Sequence, residues 1–221
     1  MMRLVRAAAV AATVLGGAVP ARAQASDTGL LEIAIGAAMT NGSTLSSGDG
    51  TETTSSGGAF TLFSTRTTLA RAASAEMHLG VRLTRRFEVE GAVSYGKPRL
   101  RIAVTNDVEN ASLITATERV EEFAVTGGVL WYPAGFSPES QVAPFVEVGA
   151  GYLRVLHEEL TFVQDGREYL AGGGVKFVLH RGGAVRRVGF RVDARAIARN
   201  KGLFSTTRVS PAVGASLFMR F

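Results

Sequence analysis

From residue 207 to residue 221 the side chains alternate almost without a break. Val209, Pro211, Val213, Ala215, Leu217, Met219 and Phe221 fall on one face of an extended chain, and Arg208, Ser210, Ala212, Gly214, Ser216 and Arg220 on the other. Only Phe218 breaks the contrast. A period of two over this length specifies a strand with one apolar and one polar face.

Seven earlier segments repeat the pattern. Leu31, Ile33, Ile35, Ala37 and Met39 alternate with Glu32, Ala34, Gly36 and Ala38; Ala75, Met77, Leu79, Val81 and Leu83 with Glu76, His78, Gly80 and Arg82; Phe87, Val89, Gly91, Val93 and Tyr95 with Glu88, Glu90, Ala92 and Ser94. Phe123, Val125, Val129 and Trp131 stand opposite Glu122, Thr126 and Tyr132, and Val142, Val146, Val148 and Tyr152 opposite Phe145, Glu147 and Gly149. Tyr169, Ala171, Val175, Phe177 and Leu179 face away from Gly172, Gly174, Lys176 and His180. Val188, Phe190, Val192, Ala194, Ala196 and Ala198 face away from Arg191, Asp193, Arg195 and Arg199. With the last segment this makes eight strands.

The connections alternate in length. Residues 84–86, 133–141 and 181–187 are short and rich in turn formers, whereas residues 41–74, 98–120 and the stretch around Asp165 and Gly166 are longer; the fourth, Asn200, Lys201 and Gly202, is short. Residues 41–58, dominated by Gly, Ser and Thr, are expected to form a mobile loop. The segments around Leu100, Ile102 and Val104, and around Leu160 and Phe162, keep enough alternation to extend the strands as hairpins.

At the amino terminus Arg3 and Arg6 precede an apolar run over residues 7–19 that ends in Ala21, Arg22 and Ala23. This is the layout of a secretory signal peptide, residues 1–23, cut after Ala23. The run is too short to span a bilayer as a helix. Its removal takes away Arg3, Arg6 and Arg22 and no acid, so the formal charge falls from +5 to +2. The remaining bases are scattered along strands, which speaks against nucleic-acid binding. The absence of cysteine excludes a disulfide framework and a thiolate metal site. Residues 24–221 suit one domain, and no cofactor is expected.

Period two by itself does not separate a membrane barrel from a soluble barrel or sandwich. Three features favour the membrane. Aromatics gather near strand ends, at Phe87, Tyr95, Trp131, Tyr152, Tyr169 and Phe221, where membrane girdles lie. Several apolar-face positions are Gly or Ala, which fill a soluble core poorly. Phe221 closes the last strand.

On this pattern, the signal peptide and the ending Leu217, Phe218, Met219, Arg220 and Phe221, the chain resembles the small outer-membrane β-barrel family of the OmpA and OmpX type. The resemblance implies an all-β, eight-stranded antiparallel up-and-down transmembrane barrel in the outer membrane, with short turns in the periplasm. It also implies that Leu217, Met219 and Phe221 are read by the barrel-assembly machinery, and that the barrel is a monomer. The periplasmic domain of some family members has no counterpart here.

In such a barrel the polar faces meet inside. The inward set is Glu32, Glu76, Glu88, Glu90, Glu122, Glu147 and Asp193 against Arg82, Lys176, Arg191, Arg195, Arg199, Arg208 and Arg220: seven acids and seven bases. Buried charges must be paired, so balance points to a plugged, ion-paired interior. Inward Gly149, Gly151, Gly172 and Gly174 either make room for long arginines or line a narrow path. A structural or interaction role through the outer loops is therefore expected first, a small or gated channel second and a lipid A-modifying enzyme a distant third. For the last, His78, His157 and His180 show no spacing of a metal site or hydrolase motif. Arg66, Arg71, Lys97, Arg99, Arg101 and Arg167 lie where they could meet phosphates of lipopolysaccharide, and the basic turn residues Arg85, Arg86, Arg181, Arg186 and Arg187 where they could meet outer-membrane phospholipid.

Overall fold

The computed structural model describes residues 31–105, 114–157, 163–181, 187–201 and 204–221; the expected signal peptide, residues 1–23, lies outside them. The described residues form eleven strands: β1 (Leu31–Thr40), β2 (Ser43–Thr53), β3 (Ala59–Leu69), β4 (Ala72–Arg82), β5 (Phe87–Gly96), β6 (Arg99–Thr105), β7 (Ile114–Trp131), β8 (Val142–His157), β9 (Val163–Arg181), β10 (Arg187–Lys201) and β11 (Phe204–Arg220). Eight of them close a barrel, each antiparallel to its neighbours, in the order β1, β4, β5, β7, β8, β9, β10, β11 and back to β1. These eight correspond one to one with the eight alternating segments, and several run further than the alternation marked. β7 begins at Ile114, and β9 begins at Val163.

Closure satisfies every ladder and leaves no edge in the barrel wall. The wall has two ends. One carries the short connections, residues 83–86 and 132–141, and is called here the turn end; the other carries the hairpins and is called the loop end.

The expected mobile loop at residues 41–58 is a finding of a different kind. Those residues belong largely to a β2–β3 hairpin, which pairs through β6 with residues 114–119 of β7. Thr44, Thr51, Thr53, Thr61, Thr65, Thr67 and Thr68 are β-branched and favour extended backbone. Leu45 and Leu69 point inward and are buried, fastening the hairpin to the barrel. Composition alone marked the stretch as loop because Ser, Thr and Gly also dominate turns.

The alternation reverses the usual sense of inside and outside. Outward side chains are large, apolar and exposed: Ile35 at 62%, Met77 at 50%, Val148 at 56%, Val213 at 58% and Leu217 at 66%. An apolar band this continuous is not tolerated against water. Exposed aromatics rim it at both ends, with Phe87, Trp131, Phe136 and Phe221 at the turn end and Tyr95, Phe123, Tyr152 and Tyr169 at the loop end. Phe87 faces Trp131 and Tyr95 faces Phe123 across one ladder.

Inward residues are polar, small or apolar in layers. Leu130, Tyr132, Ala143 and Phe145 pack together at the turn end, with Ala34, Val178 and Phe218 beside them. Leu45, Leu69, Leu100, Val120, Ala124, Leu153 and Val155 form a second apolar cluster at the loop end. Phe218, the one exception in the last strand's polar face, is a stopper residue. One further inward expectation is corrected: a bulge in β9, where Val188 pairs with His180 but Gly189 with Val178, inserts Leu179 and turns His180 outward and exposed.

If the outward band faces lipid, an arginine there is costly. Val213→Arg is expected to lower the unfolding free energy by about 2–4 kcal/mol in lipid vesicles, measured by denaturant titration; an unchanged midpoint contradicts a lipid-facing β11.

Candidate functional site

Between the two apolar clusters lies a column of ion pairs. Nearest the turn end, Lys176 Nζ donates to Glu32 at 2.6 Å and to Glu88 at 2.9 Å. Arg220 ion-pairs with Glu32, lies 3.7 Å from Glu88 and donates to the Pro138 carbonyl at 2.6 Å. Tyr132 donates its hydroxyl to the second Glu88 oxygen at 2.8 Å. Lys176 also stands within about 6 Å of the Tyr132, Phe145 and Phe218 rings, whose faces favour a cation.

Arg191 anchors the middle. It is completely buried. Its guanidinium donates to both Glu90 oxygens at 2.7 and 2.9 Å, to Glu147 at 2.6 Å and to Asp193 at 3.0 Å, over the Phe145 ring at 4.7 Å. Four residues on along β10 and on the same face, Arg195 donates to Glu76 at 2.7 Å and lies 2.9 Å from Asp193. His78 sits between Glu90 at 2.9 Å and Glu76 at 3.4 Å, and reaches both as a donor only when both ring nitrogens carry protons. Nearer the loop end, Arg199 donates to Glu168 at 2.9 Å and to Glu122 at 3.0 Å.

Of the fourteen inward charges expected from alternation, twelve converge in this column. Two do not. Arg82 ion-pairs with Glu139 of the 132–141 turn, and Arg208 donates to the Leu45 carbonyl on β2 at 3.1 Å. Three partners escaped the alternation as read. Glu168 lies one residue before Tyr169, where the clear alternation of β9 begins. Glu139 and Pro138 lie in a turn that folds back under the barrel, which no periodicity reports. The expected balance of seven and seven therefore becomes a column in which acids outnumber fixed cations, with His78 between two of the acids.

The glycines do not line a common path. Gly149 stands opposite Leu170, whereas Gly172 stands opposite Glu147 and Arg195. A Cβ on Gly172 would lie 2.8 Å from Arg195 Cα and 2.9 Å from its Cγ; one on Gly174 would lie 2.7 Å from Asp193 Cβ and 2.8 Å from Phe145. Closer still is the backbone of β10, with the Ala194 carbonyl oxygen nearest a Cβ on Gly172 and the Val192 carbonyl oxygen nearest one on Gly174, so glycine at these two positions admits the close approach of β10 and the charged residues it carries.

The interior leaves little open volume. One cavity of about 30 Å³ is lined by Glu122, Arg199 and Ser210 among others, and one of about 20 Å³ by His78, Glu90, Glu147 and Arg195. Each has room for a water molecule or two near Glu122 Oε1 or Glu147 Oε1, which lack a hydrogen-bond partner in the protein. Oxygens of Glu32, Glu88 and Glu90 converge closely enough for a metal ion, but Lys176 and Arg191 already neutralise them, leaving a poor cation site. Among the described residues the hydrogen-bond partners of His78 are carboxylates, Glu90 and Glu76. The side chain of His157 lies outside the described residues.

Removing one member of such a network strands the others. Arg191→Met leaves Glu90, Glu147 and Asp193 facing one another, and is expected to cost about 3–5 kcal/mol of stability. Arg208→Met, which loses one bond to a backbone carbonyl, should cost clearly less. Denaturant unfolding of both variants in vesicles checks the order, and equal losses would contradict it.

The sequence matches no family model and no curated protein. Solved structures do match. The outer membrane protein OprG from Pseudomonas aeruginosa superimposes with a TM-score of 0.52 at 12% identity, over 87% of this chain and 93% of that one. Neisserial surface protein A aligns at 16% identity with a TM-score of 0.49, over 86% and 97% of the two chains. Ail, the attachment invasion locus protein of Yersinia pestis, aligns at 12% identity with a TM-score of 0.39, over 88% and 99%. With its closed antiparallel ring of eight strands and its likeness to OprG, this chain has the fold of the small outer-membrane β-barrels.

Proposed function

We propose that the protein is an integral barrel of the bacterial outer membrane, exported by its signal peptide and inserted as a monomer, which acts through the surface at its loop end and not as an open pore. The outward band supports the membrane reading. Phe87 and Tyr95 mark its two rims on β5 and lie eight residues apart, about 26 Å along the strand at 3.3 Å per residue. At a tilt of about 40° that becomes roughly 20 Å along the barrel axis, and the rings reach further, close to the apolar band of outer-membrane barrels. The turn end then faces the periplasm. Leu217, Met219 and Phe221, outward on or next to β11 at that end, are available to the barrel-assembly machinery.

The observation that carries the functional reading is the interior. A conducting path would have to cross the Tyr132 and Phe145 layer, the Arg191 and Arg195 pairs, and the Leu45, Leu69 and Leu100 layer. Each is packed, and an eight-stranded barrel offers little width beyond its own side chains. Among the described residues, the surface that remains for interaction is the loop-end sheet of β2, β3, β6 and the upper part of β7. His78 is held by the carboxylates of Glu76 and Glu90 inside the ion-paired column, and a structural or binding role is preferred to the lipid-modifying reading.

Two measurements test this. In planar bilayers the purified protein should show no steady open state, whereas Arg191→Ala combined with Arg195→Ala should raise conductance by loosening the middle of the column; steady wild-type conductance would overturn the closed-barrel reading. Lipid A from expressing cells should keep its acyl pattern by mass spectrometry, and a changed pattern would restore the enzymatic one.

A further inference from the structure

We infer that His78 is the third cation in the middle of the column, an imidazolium that joins the Arg191 and Arg195 ion pairs into one network, and that its second ring proton is a pH-sensitive link in the barrel. The inference concerns the interior itself and goes beyond the loop-end role proposed above; it holds whatever that surface binds.

The geometry around the ring carries it. His78 is buried, and each ring nitrogen meets a carboxylate oxygen: Nδ1 lies 2.9 Å from Glu90 Oε1, and Nε2 lies 3.4 Å from Glu76 Oε2. Both partners are also held by guanidinium groups. Arg191 donates to the two oxygens of Glu90 at 2.7 and 2.9 Å, and Arg195 donates to Glu76 at 2.7 Å. A carboxylate clamped in this way is ionised and only accepts hydrogen bonds, whereas a neutral imidazole has one donor and one bare lone pair. In the neutral ring, whichever nitrogen lacks the proton points its lone pair at an anion. With both protons in place, each nitrogen donates.

The local charge gives a second, independent argument. Glu76 reaches the ring from β4, Glu90 from β5 and Glu147 from β8, and Arg191, Asp193 and Arg195 stand together on β10. Ala34 of β1, Thr126 of β7 and Leu170 of β9, which also lie on this side, bring no charge. Among the described residues, four carboxylates therefore share this layer with two guanidinium groups. Buried charge must be neutralised by its surroundings, and His78 is the further base within reach. The cavity of about 20 Å³ lined by His78, Glu90, Glu147 and Arg195 gives a water molecule room beside the ring, through which the proton can leave.

Loss of that proton has a defined effect. The 3.4 Å contact to Glu76 is the longer of the two and gives way first, leaving Nδ1 on Glu90 and a bare Nε2 facing Glu76. The chain running from Arg195 through Glu76, His78 and Glu90 to Arg191 is then cut at its centre. The imidazolium's contribution is present at the acidic side of the His78 titration and is lost as pH rises through it.

The test follows urea unfolding in lipid vesicles from acidic to alkaline pH for wild type, His78→Gln and His180→Gln, together with NMR of isotope-labelled histidine ring nitrogens. In wild type the folding equilibrium constant should fall by about tenfold or more as the second ring proton of His78 is lost. The same step should appear in His180→Gln, which removes an exposed histidine. His78→Gln keeps a donor but no charge; it should start less stable at acidic pH and show no step. A wild type without the step, or a step that survives in His78→Gln, overturns the inference. If His78→Gln does not fold, the wild-type ring signals decide: two protons on His78 below the step and one above support the inference, and one proton throughout overturns it.

Discussion

Everything inside this barrel depends on keeping Arg191 paired. A guanidinium with no solvent-exposed surface must find its neutralisation in the protein, and it does so from three carboxylates on three strands: Glu90 of β5, Glu147 of β8 and Asp193 of β10. These strands lie on different sides of the ring, so the ion pairs tie the wall across its own diameter. Arg195, His78 and Glu76 extend the same network toward β4, and Lys176 with Arg220 repeats it one layer down for β1. The charges thus act as cross-braces as well as filling. Gly172 and Gly174 sit beside this network, where a Cβ at either would meet the β10 backbone first and the charged side chains of Arg195 or Asp193 next.

Such an interior contributes to stability differently from a soluble core. Apolar burial inside is concentrated in two stoppers, one at each end, and most large apolar side chains of the wall point outward. In water that arrangement would leave the hydrophobic effect working against the fold. In a bilayer it does not, because lipid replaces water on the outer face and the closed ring of ladders pairs the wall's strands on both sides. The band height, the two aromatic rims and the ion-paired interior are therefore three consequences of one choice of solvent. The exposed faces of Val148, Val213 and Leu217 make sense only together with the buried Arg191 and Lys176.

The loop end adds what the wall lacks. β2, β3 and β6 lengthen the sheet beyond the ring on the β7 side and turn Leu45, Leu69 and Leu100 in over the mouth, while their other face carries arginines. One small sheet thereby closes the barrel and presents a charged surface. The two roles use opposite faces of the same strands, so the surface can vary without opening the interior.

Alternation carried most of this into view before any tertiary contact was known. A period of two fixes which residues share a face and which face is apolar, because side-chain direction in a strand is a local property of the backbone. Eight strands, their outward residues and the inward charges followed from it, twelve of which meet in the column. What a local period does not contain is which strand lies beside which, where a strand stops and what a turn does. Pairing Glu168 with Arg199 depends on β9 starting earlier than its alternation suggested, and pairing Arg82 with Glu139 on a turn that doubles back. The exposure of His180 depends on a one-residue bulge, and the hairpin at residues 43–69 on inward leucines finding an apolar mouth to cover. Each is a contact between residues far apart in the chain or an irregularity in the ladder. The sequence by itself determined the faces; only closure of the ring decided the partners, because ion pairing and packing are set by distances across the barrel, which no stretch of a single strand records.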